Sequence, residues 1–222
     1  MSGPDRPLGL LGGTFDPVHY GHLRLAEEAR EALDLAGVRW IPAGLPPHRP
    51  APRVAAAHRL EMVRQAVAAN PAFTVDDAET ASGETSYTVT TLDRLRAEQG
   101  SRPLVLLMGA DAFLGLATWR RWRDLFALAH IGVATRPGVE LSLEELPAEL
   151  AAACAGRLDG NPDALKTAPA GRVVQFAMTP LAISASLVRA RLAAGLSVRY
   201  LLPDPVREYI DLHHLYRATD GR

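Results

Sequence analysis

Short apolar runs separated by helix-spaced segments organise this chain. The runs are "LGLL" at 8–11, "VRWIPA" at 38–43, "FTVDDA" at 73–78, "PLVLLMG" at 103–109, "HIGVATR" at 130–136 and "RVVQFAM" at 172–178. Their Val, Ile and Leu content predicts strands. Between them apolar residues recur at helical spacing: Leu23, Ala26, Ala29 and Leu33 share one predicted face, and Leu60, Val63 and Val67 another. Strand and helix alternating in this way, with strands apolar on both faces, predict an α/β fold: a doubly wound parallel sheet with helices on both sides.

Three segments break the rhythm. "GLPPHRPAPR" at 44–53 holds four prolines, and proline lacks the amide proton and restricts the residue before it, so a loop is expected. Residues 136–171 are expected to hold a helix over 143–156 and then an irregular, solvated stretch. From Ser184 the tail gives two helices, "SASLVRARLAAG" and "DPVREYIDLHHLY". The expectation is one domain over 1–222 with a helical C-terminal part from about residue 184, since 222 residues suffice for a single core.

Composition changes this picture by exclusion. Apolar residues make up 48% and charged residues 22%, the proportions of an ordinary globular protein. A net charge of −1 removes the bulk basic field of a nucleic-acid binder. The single cysteine, Cys154, forms no intramolecular disulfide and no cysteine-based zinc site, and is expected to be a small apolar filler. The start of the chain lacks a secretory pattern and no stretch reaches the length of a membrane span, so a cytoplasmic protein with no membrane partner is expected.

The candidate chemistry lies in "LGLLGGTFDPVHYGHLRLA", which passes from an apolar strand through a Gly-Gly turn into a helix. Amides at a helix N-terminus and the positive end of its dipole suit phosphate, and Gly12 and Gly13 let a ligand approach the backbone. The spacing is neither the Walker P-loop nor the dinucleotide fingerprint. His19 is expected in the turn and His22 in the first helical turn, three residues on, where side chains share a face. By spacing alone the pair fits a cap partner as well as a ligand site. A zinc reading needs a third ligand, for which Asp16 is the local candidate, and no metal site is assigned.

"GGTFDPVHYGH" resembles the opening signature of the nucleotidylyltransferase superfamily, whose H-x-G-H pair handles the phosphates of a nucleoside triphosphate. Within it the chain is similar to bacterial nicotinate mononucleotide adenylyltransferases. Motifs occur in that family's order over nearly the whole chain: "PPHR" at 46–49, "ETSYTVTTL" at 84–92, "GAD" at 109–111 followed by Trp119, "ISASLVR" at 183–189 and "PDPVREYI" at 203–210.

The resemblance implies a Rossmann-like fold and the joining of nicotinate mononucleotide to ATP, with release of pyrophosphate, in NAD biosynthesis. It places Gly12, Gly13, Thr14 and Phe15 along the ATP site with His19 and His22 at the phosphates. Gly109 and Asp111 match the adenosine-contacting turn. Ser184, Ser186 and Arg189 match the phosphate-holding segment, in which Ala185 stands where the family has a serine. Arg49 replaces a lysine, keeping the charge but changing a point donor into a planar fork. Trp119 is implied to stack on the nicotinate ring and Thr85 to hold its carboxylate. Mg²⁺ is expected to arrive with ATP, since no carboxylate cage is visible. ATP and nicotinate mononucleotide are the implied partners, and a homo-oligomer is compatible with the sequence. Pantetheine phosphate adenylyltransferase chemistry and a non-catalytic nucleotide-binding regulator are the alternatives. Read alone, "ISASLVR" is a plain N-cap and "WRRW" at 119–122 mere packing. His58, His130, His213 and His214 match no chemistry.

Overall fold

The computed structural model describes residues 6–47 and 51–217. Its strands are β1 (Leu8–Gly13), β2 (Gly37–Pro42), β3 (Phe73–Val75), β4 (Leu104–Gly109), β5 (His130–Thr135), β6 (Leu158–Asp159) and β7 (Val173–Ala177). Its helices are α1 (Tyr20–Ala32), α2 (Ala56–Val67), α3 (Ala78–Ser82), α4 (Thr88–Gln99), α5 (Ala110–Leu114), α6 (Leu125–Leu128), α7 (Ala148–Cys154), α8 (Ala185–Ala193) and α9 (Asp204–Leu212). The strands form one sheet in the order β3-β2-β1-β4-β5-β7-β6. β4 runs parallel to β1 and β5, and β7 parallel to β5 and β6. The order turns back between β1 and β4, as in a doubly wound α/β sheet, where ligands bind beyond the carboxyl ends of the strands. No helix among the described residues is long and apolar enough to cross a membrane.

The chain divides into two compact units, one of residues 1–12, 25–39 and 87–179, the other of residues 13–24, 40–86 and 180–222. In the first, β4 from Leu104 to Met108 and all of β5 are buried, because a parallel strand covered on both faces can be apolar throughout. α4 adds Val89, Leu92 and Leu95 to this core. Arg96, in the last turn of α4, donates to the carbonyls of Gly100, Arg102, Leu128 and Pro169. His130 is fully buried, with Nδ1 accepting from the Arg172 amide and Nε2 facing the Ala168 carbonyl at 2.8 Å. That pairing needs the proton on Nε2, and burial pulls the ring below its ordinary pKa. Cys154 is buried as expected of a filler, its thiol pushed up to about 11 by desolvation.

In the second unit α2 lies against α9. Met62, Val63 and Val67 of α2, Val206 and Ile210 of α9, and Val188 of α8 are buried. Trp40 meets Phe73 at 5.6 Å between ring centroids.

Three expectations need correction. The run at 73–78 is a strand only to Val75, because the Asp76 carboxylate accepts from the Ala78 amide and turns the chain into α3. The helix expected over 143–156 is a 3-10 turn at Leu143–Glu145 followed by α7, with Pro147 between them in an extended conformation. The stretch expected to be irregular after it holds β6 and a 3-10 turn at Pro162–Lys166, capped by the Asn161 side chain.

Candidate active site

The phosphate-binding candidate begins where β1 ends. Gly13 is needed there because a Cβ would lie 2.8 Å from the Phe15 ring, closer than packed carbon atoms approach. Phe15 has a positive φ of 50° and a buried ring that meets His22 edge-on at 5.1 Å and Trp40 at 5.4 Å. A bulky residue in the left-handed region is unusual, and here the turn is packed around it.

His19 immediately precedes α1 and His22 is its third residue. The His19 carbonyl accepts from the His22 and Leu23 amides, while the His19 amide donates back to His22 Nδ1 at 3.3 Å. This is one half of a capping box, with an imidazole in place of the usual Glu or Gln. It decides the tautomer: Nδ1 of His22 is an acceptor, so its proton sits on Nε2. The cap-partner reading of the pair and the donor reading are thus the same arrangement.

His19 is only 6% exposed, its Nδ1 has no hydrogen-bond partner, and its ring stacks on His22 with centroids 3.8 Å apart. Burial lowers its pKa to about 4, so the ring is neutral near pH 7. Gly21 makes room for it, since a Cβ there would lie 3.0 Å from both Cε1 and Nδ1 of His19. The helix start itself offers less than the sequence suggests. The amides of Tyr20, His22 and Leu23 are already taken, the first by the Leu201 carbonyl at 3.1 Å.

Asp16, 6% exposed, accepts from the Tyr216 hydroxyl at 2.7 Å and from the Arg53 amide at 2.8 Å. Burial and this carboxylate together push the Tyr216 hydroxyl above its ordinary pKa. With both carboxylate oxygens engaged, Asp16 is not poised as a zinc ligand, and no group of three metal-binding side chains occurs among the described residues. Arg189 donates through Nη1 to the Asp16 carbonyl at 2.7 Å and through Nη2 to Ser186 Oγ at 3.1 Å. Ser184 caps α8, its Oγ accepting from the Leu187 amide at 3.1 Å. The N-cap reading of this serine is therefore realised, and its hydroxyl proton is still available to donate. Ser184 and Ser186 are exposed.

Arg59 was not legible as part of this neighbourhood. It is 1% exposed and donates through Nη1 to the carbonyls of Thr14 (2.7 Å) and Ala43 (2.6 Å), through Nη2 to Gly44 (2.7 Å) and through Nε to Val54 (3.4 Å). A signal was present, because Arg59 precedes Met62, Val63 and Val67 by three, four and eight positions on the buried face of α2. Thr85 is exposed and bridges Leu45 in parallel register, next to the bond from the Ser86 amide to the Leu45 carbonyl. Arg49 lies outside the described residues.

The second unit thus brings together Gly13, Thr14, Phe15, His19, His22 and Arg189, all on or bonded to one turn. In the first unit, Gly12 near the end of β1 and Gly109 at the end of β4 each face open space where a Cβ would stand. Asp111 is exposed in the first turn of α5, and Trp119 is half-buried. Trp122 instead is packed in, against Phe126 and beneath Arg123, so the packing reading of "WRRW" fits its second tryptophan. Chemically, the turn offers one imidazole N–H donor of fixed tautomer, a neutral ring behind it and a guanidinium, a set suited to anionic oxygens.

Comparison with known proteins adds three findings. A model of the cytidylyltransferase-like family matches residues 10–191. A Dechloromonas aromatica protein named "Probable nicotinate-nucleotide adenylyltransferase" is 59% identical over 96% of this chain and 99% of its own, and a Halorhodospira halophila protein of the same name is 52% identical over 95% of each. The solved structure of Plasmodium falciparum nicotinic acid mononucleotide adenylyltransferase complexed with NaAD is similar in fold, with a TM-score of 0.72 at 14% identity over 95% of this chain and 97% of that one.

Proposed function

The chain belongs to the cytidylyltransferase-like family, and from that premise we propose that it is a nicotinate-nucleotide adenylyltransferase of NAD biosynthesis. It joins nicotinate mononucleotide to ATP, giving nicotinate adenine dinucleotide and pyrophosphate. The observation that carries the reading is the His19–His22 pair on the turn after β1, in a chain that matches a relative of that name over 96% of its length.

The acceptor's 5′-phosphate oxygen attacks the α-phosphorus of ATP in line. The new O–P bond forms as the bond from the α-phosphorus to the bridging oxygen breaks, and pyrophosphate departs with that electron pair. A phosphate is already ionised near neutral pH, so no general base is needed and the protein contributes position and charge stabilisation. His22 donates from Nε2 to a phosphate oxygen. Neutral His19 stacks behind it and holds its orientation. Arg189, Ser184 and Ser186 meet the phosphates from the start of α8, and Arg49 is assigned to them from the proline-rich loop. Gly12, Gly13, Thr14, Phe15, Gly109 and Asp111 serve ATP, with Asp111 accepting from ribose hydroxyls. Trp119 stacks on the nicotinate ring, and Thr85 donates to its carboxylate.

Mg²⁺ enters as part of the ATP substrate. Held mainly by phosphate oxygens and water, the ion needs few protein ligands. The reaction is placed in the cytoplasm.

The test is to incubate the protein with ATP and Mg²⁺ plus nicotinate mononucleotide, nicotinamide mononucleotide or pantetheine phosphate in turn, and to identify the product by mass. Nicotinate adenine dinucleotide as the preferred product is the expected result. No dinucleotide, or a product from pantetheine phosphate alone, would overturn the reading.

A further inference from the structure

We propose that Arg59 is a positioning residue for the nucleotide's phosphates: from inside the protein it holds the carbonyls of Thr14, Ala43 and Gly44 and so turns the amide of Phe15 outward as a donor. The inference rests on the reading that the turn after β1 receives ATP.

A trans peptide is planar, with its C=O and N–H pointing in opposite directions. When Arg59 Nη1 draws the Thr14 carbonyl inward at 2.7 Å, the N–H of the same peptide, that of Phe15, faces the other way. The Gly44 carbonyl meets Nη2 at 2.7 Å, but the Leu45 amide of that peptide is taken up in the parallel bridge between Leu45 and Thr85. The third peptide is closed off, because the Gly44 amide donates to Ser86 Oγ at 2.9 Å. Arg59 therefore aims one amide outward, that of Phe15, and braces the two peptides of the neighbouring loop with the same planar fork.

Two further observations favour a role beyond packing. Phe15 sits at a φ of 50°, a conformation a bulky residue adopts only when its surroundings over-determine it, and the Thr14 carbonyl is the peptide oxygen immediately before it. The site also places a cation 1% exposed behind a turn meant for anions. A charge bonded to the carbonyl end of a peptide polarises its N–H end, so Arg59 makes the outward Phe15 amide a stronger donor without touching the ligand. Lysine cannot substitute, since an ammonium lacks the planar fork that spans three carbonyls.

Arg96 supplies a matched control. It too binds several backbone carbonyls, those of Gly100, Arg102, Leu128 and Pro169, but none of them belongs to the phosphate-binding turn. The experiment compares full-length wild type with Arg59→Lys, Arg59→Met and Arg96→Met. It reads melting temperature, Kd for MgATP by calorimetry below the melting range, and KM for each substrate beside kcat.

Arg59→Met is expected to weaken MgATP by roughly ten- to a hundredfold, the loss for misaiming one donor to a charged group. Arg59→Lys should lose about fivefold or more. KM for nicotinate mononucleotide at saturating ATP should stay near wild type in both. Arg96→Met should lower the melting temperature and leave the MgATP Kd unchanged. If Arg59→Met does not fold, Arg59→Lys decides, because it keeps chain length and charge. A folded Arg59→Lys with wild-type MgATP affinity overturns the proposal, as does an Arg96→Met that loses affinity as much as Arg59→Met. A wild type that binds MgATP yet forms no dinucleotide refutes the enzymatic reading and leaves this inference standing. A wild type that does not bind MgATP refutes both.

Discussion

Acid should destabilise this protein partly through one ring that carries no charge in the native state. His19 is 6% exposed with an unpartnered Nδ1, and burial lowers its pKa from 6.5 to about 4. The folded value lies below the unfolded one, so the native state favours the neutral ring and the unfolded chain takes up a proton first. The stabilisation is complete above the unfolded value, is lost as pH falls from 6.5 towards about 4, and loses nothing more below that. Across that window, linkage gives a loss of about 2 kcal/mol between about pH 7 and about pH 5. That is a large part of a typical total stability of about 5–15 kcal/mol. The assay is urea unfolding at both pH values for wild type and His19→Gln, which has no titrating group at this position. His130, also buried and lowered in pKa, contributes to both proteins and cancels in the difference. Wild type should lose about 2 kcal/mol more than His19→Gln on acidification. Equal losses would refute the reasoning. So would a heteronuclear NMR titration of the native protein in which the His19 ring protonates near its ordinary value.

Three other outcomes are expected. His22→Ala should fold and lose turnover by on the order of 10²–10³, the scale for removing one preorganised donor to a developing charge; near-normal turnover in a folded variant would remove His22 from the chemistry. Tyr216→Phe takes one of two donors from a nearly buried carboxylate and should cost roughly 1–3 kcal/mol, read from the denaturant midpoint; an unchanged midpoint would show that the Tyr216 hydroxyl does not support Asp16. The wild type should prefer nicotinate over nicotinamide mononucleotide by roughly 10²-fold in kcat/KM, because a carboxylate only accepts while a carboxamide turns its NH₂ towards a donor. Thr85→Val should narrow that gap and Trp119→Ala weaken both acceptors, and equal use of the two by wild type would contradict the acceptor assignment.

The architecture was readable because burial leaves a local signature. β4 and β5 are covered on both faces, so they read as continuous apolar runs, and α1 shows its inward side through Ala26 and Ala29, with buried Leu33 just past its end. The place of His19 and His22 was readable for the same reason, since a strand, a glycine turn and a helix start follow one another in the chain. What escaped depends on contacts far apart in sequence. The Leu201 carbonyl occupies the Tyr20 amide, which no local pattern could announce. β6 has only two residues, too few to show a period. Arg59 escaped for a different reason: it sits on the apolar stripe of α2, but a charge there reads as solvated unless its carbonyl partners are known. The neutral state of His19 likewise follows from packing and not from spacing.

The bond between Tyr216 and Asp16 joins residues 200 positions apart, and that separation sets a schedule. During synthesis the turn that holds Asp16 leaves the ribosome well before Tyr216 is added. Asp16 must wait with one oxygen unserved by its eventual donor until Tyr216 has been added and has docked. The turn after β1 is therefore made long before it is finished, and a message cut short just before Tyr216 would yield a chain that carries this turn but lacks the hydroxyl that bonds Asp16.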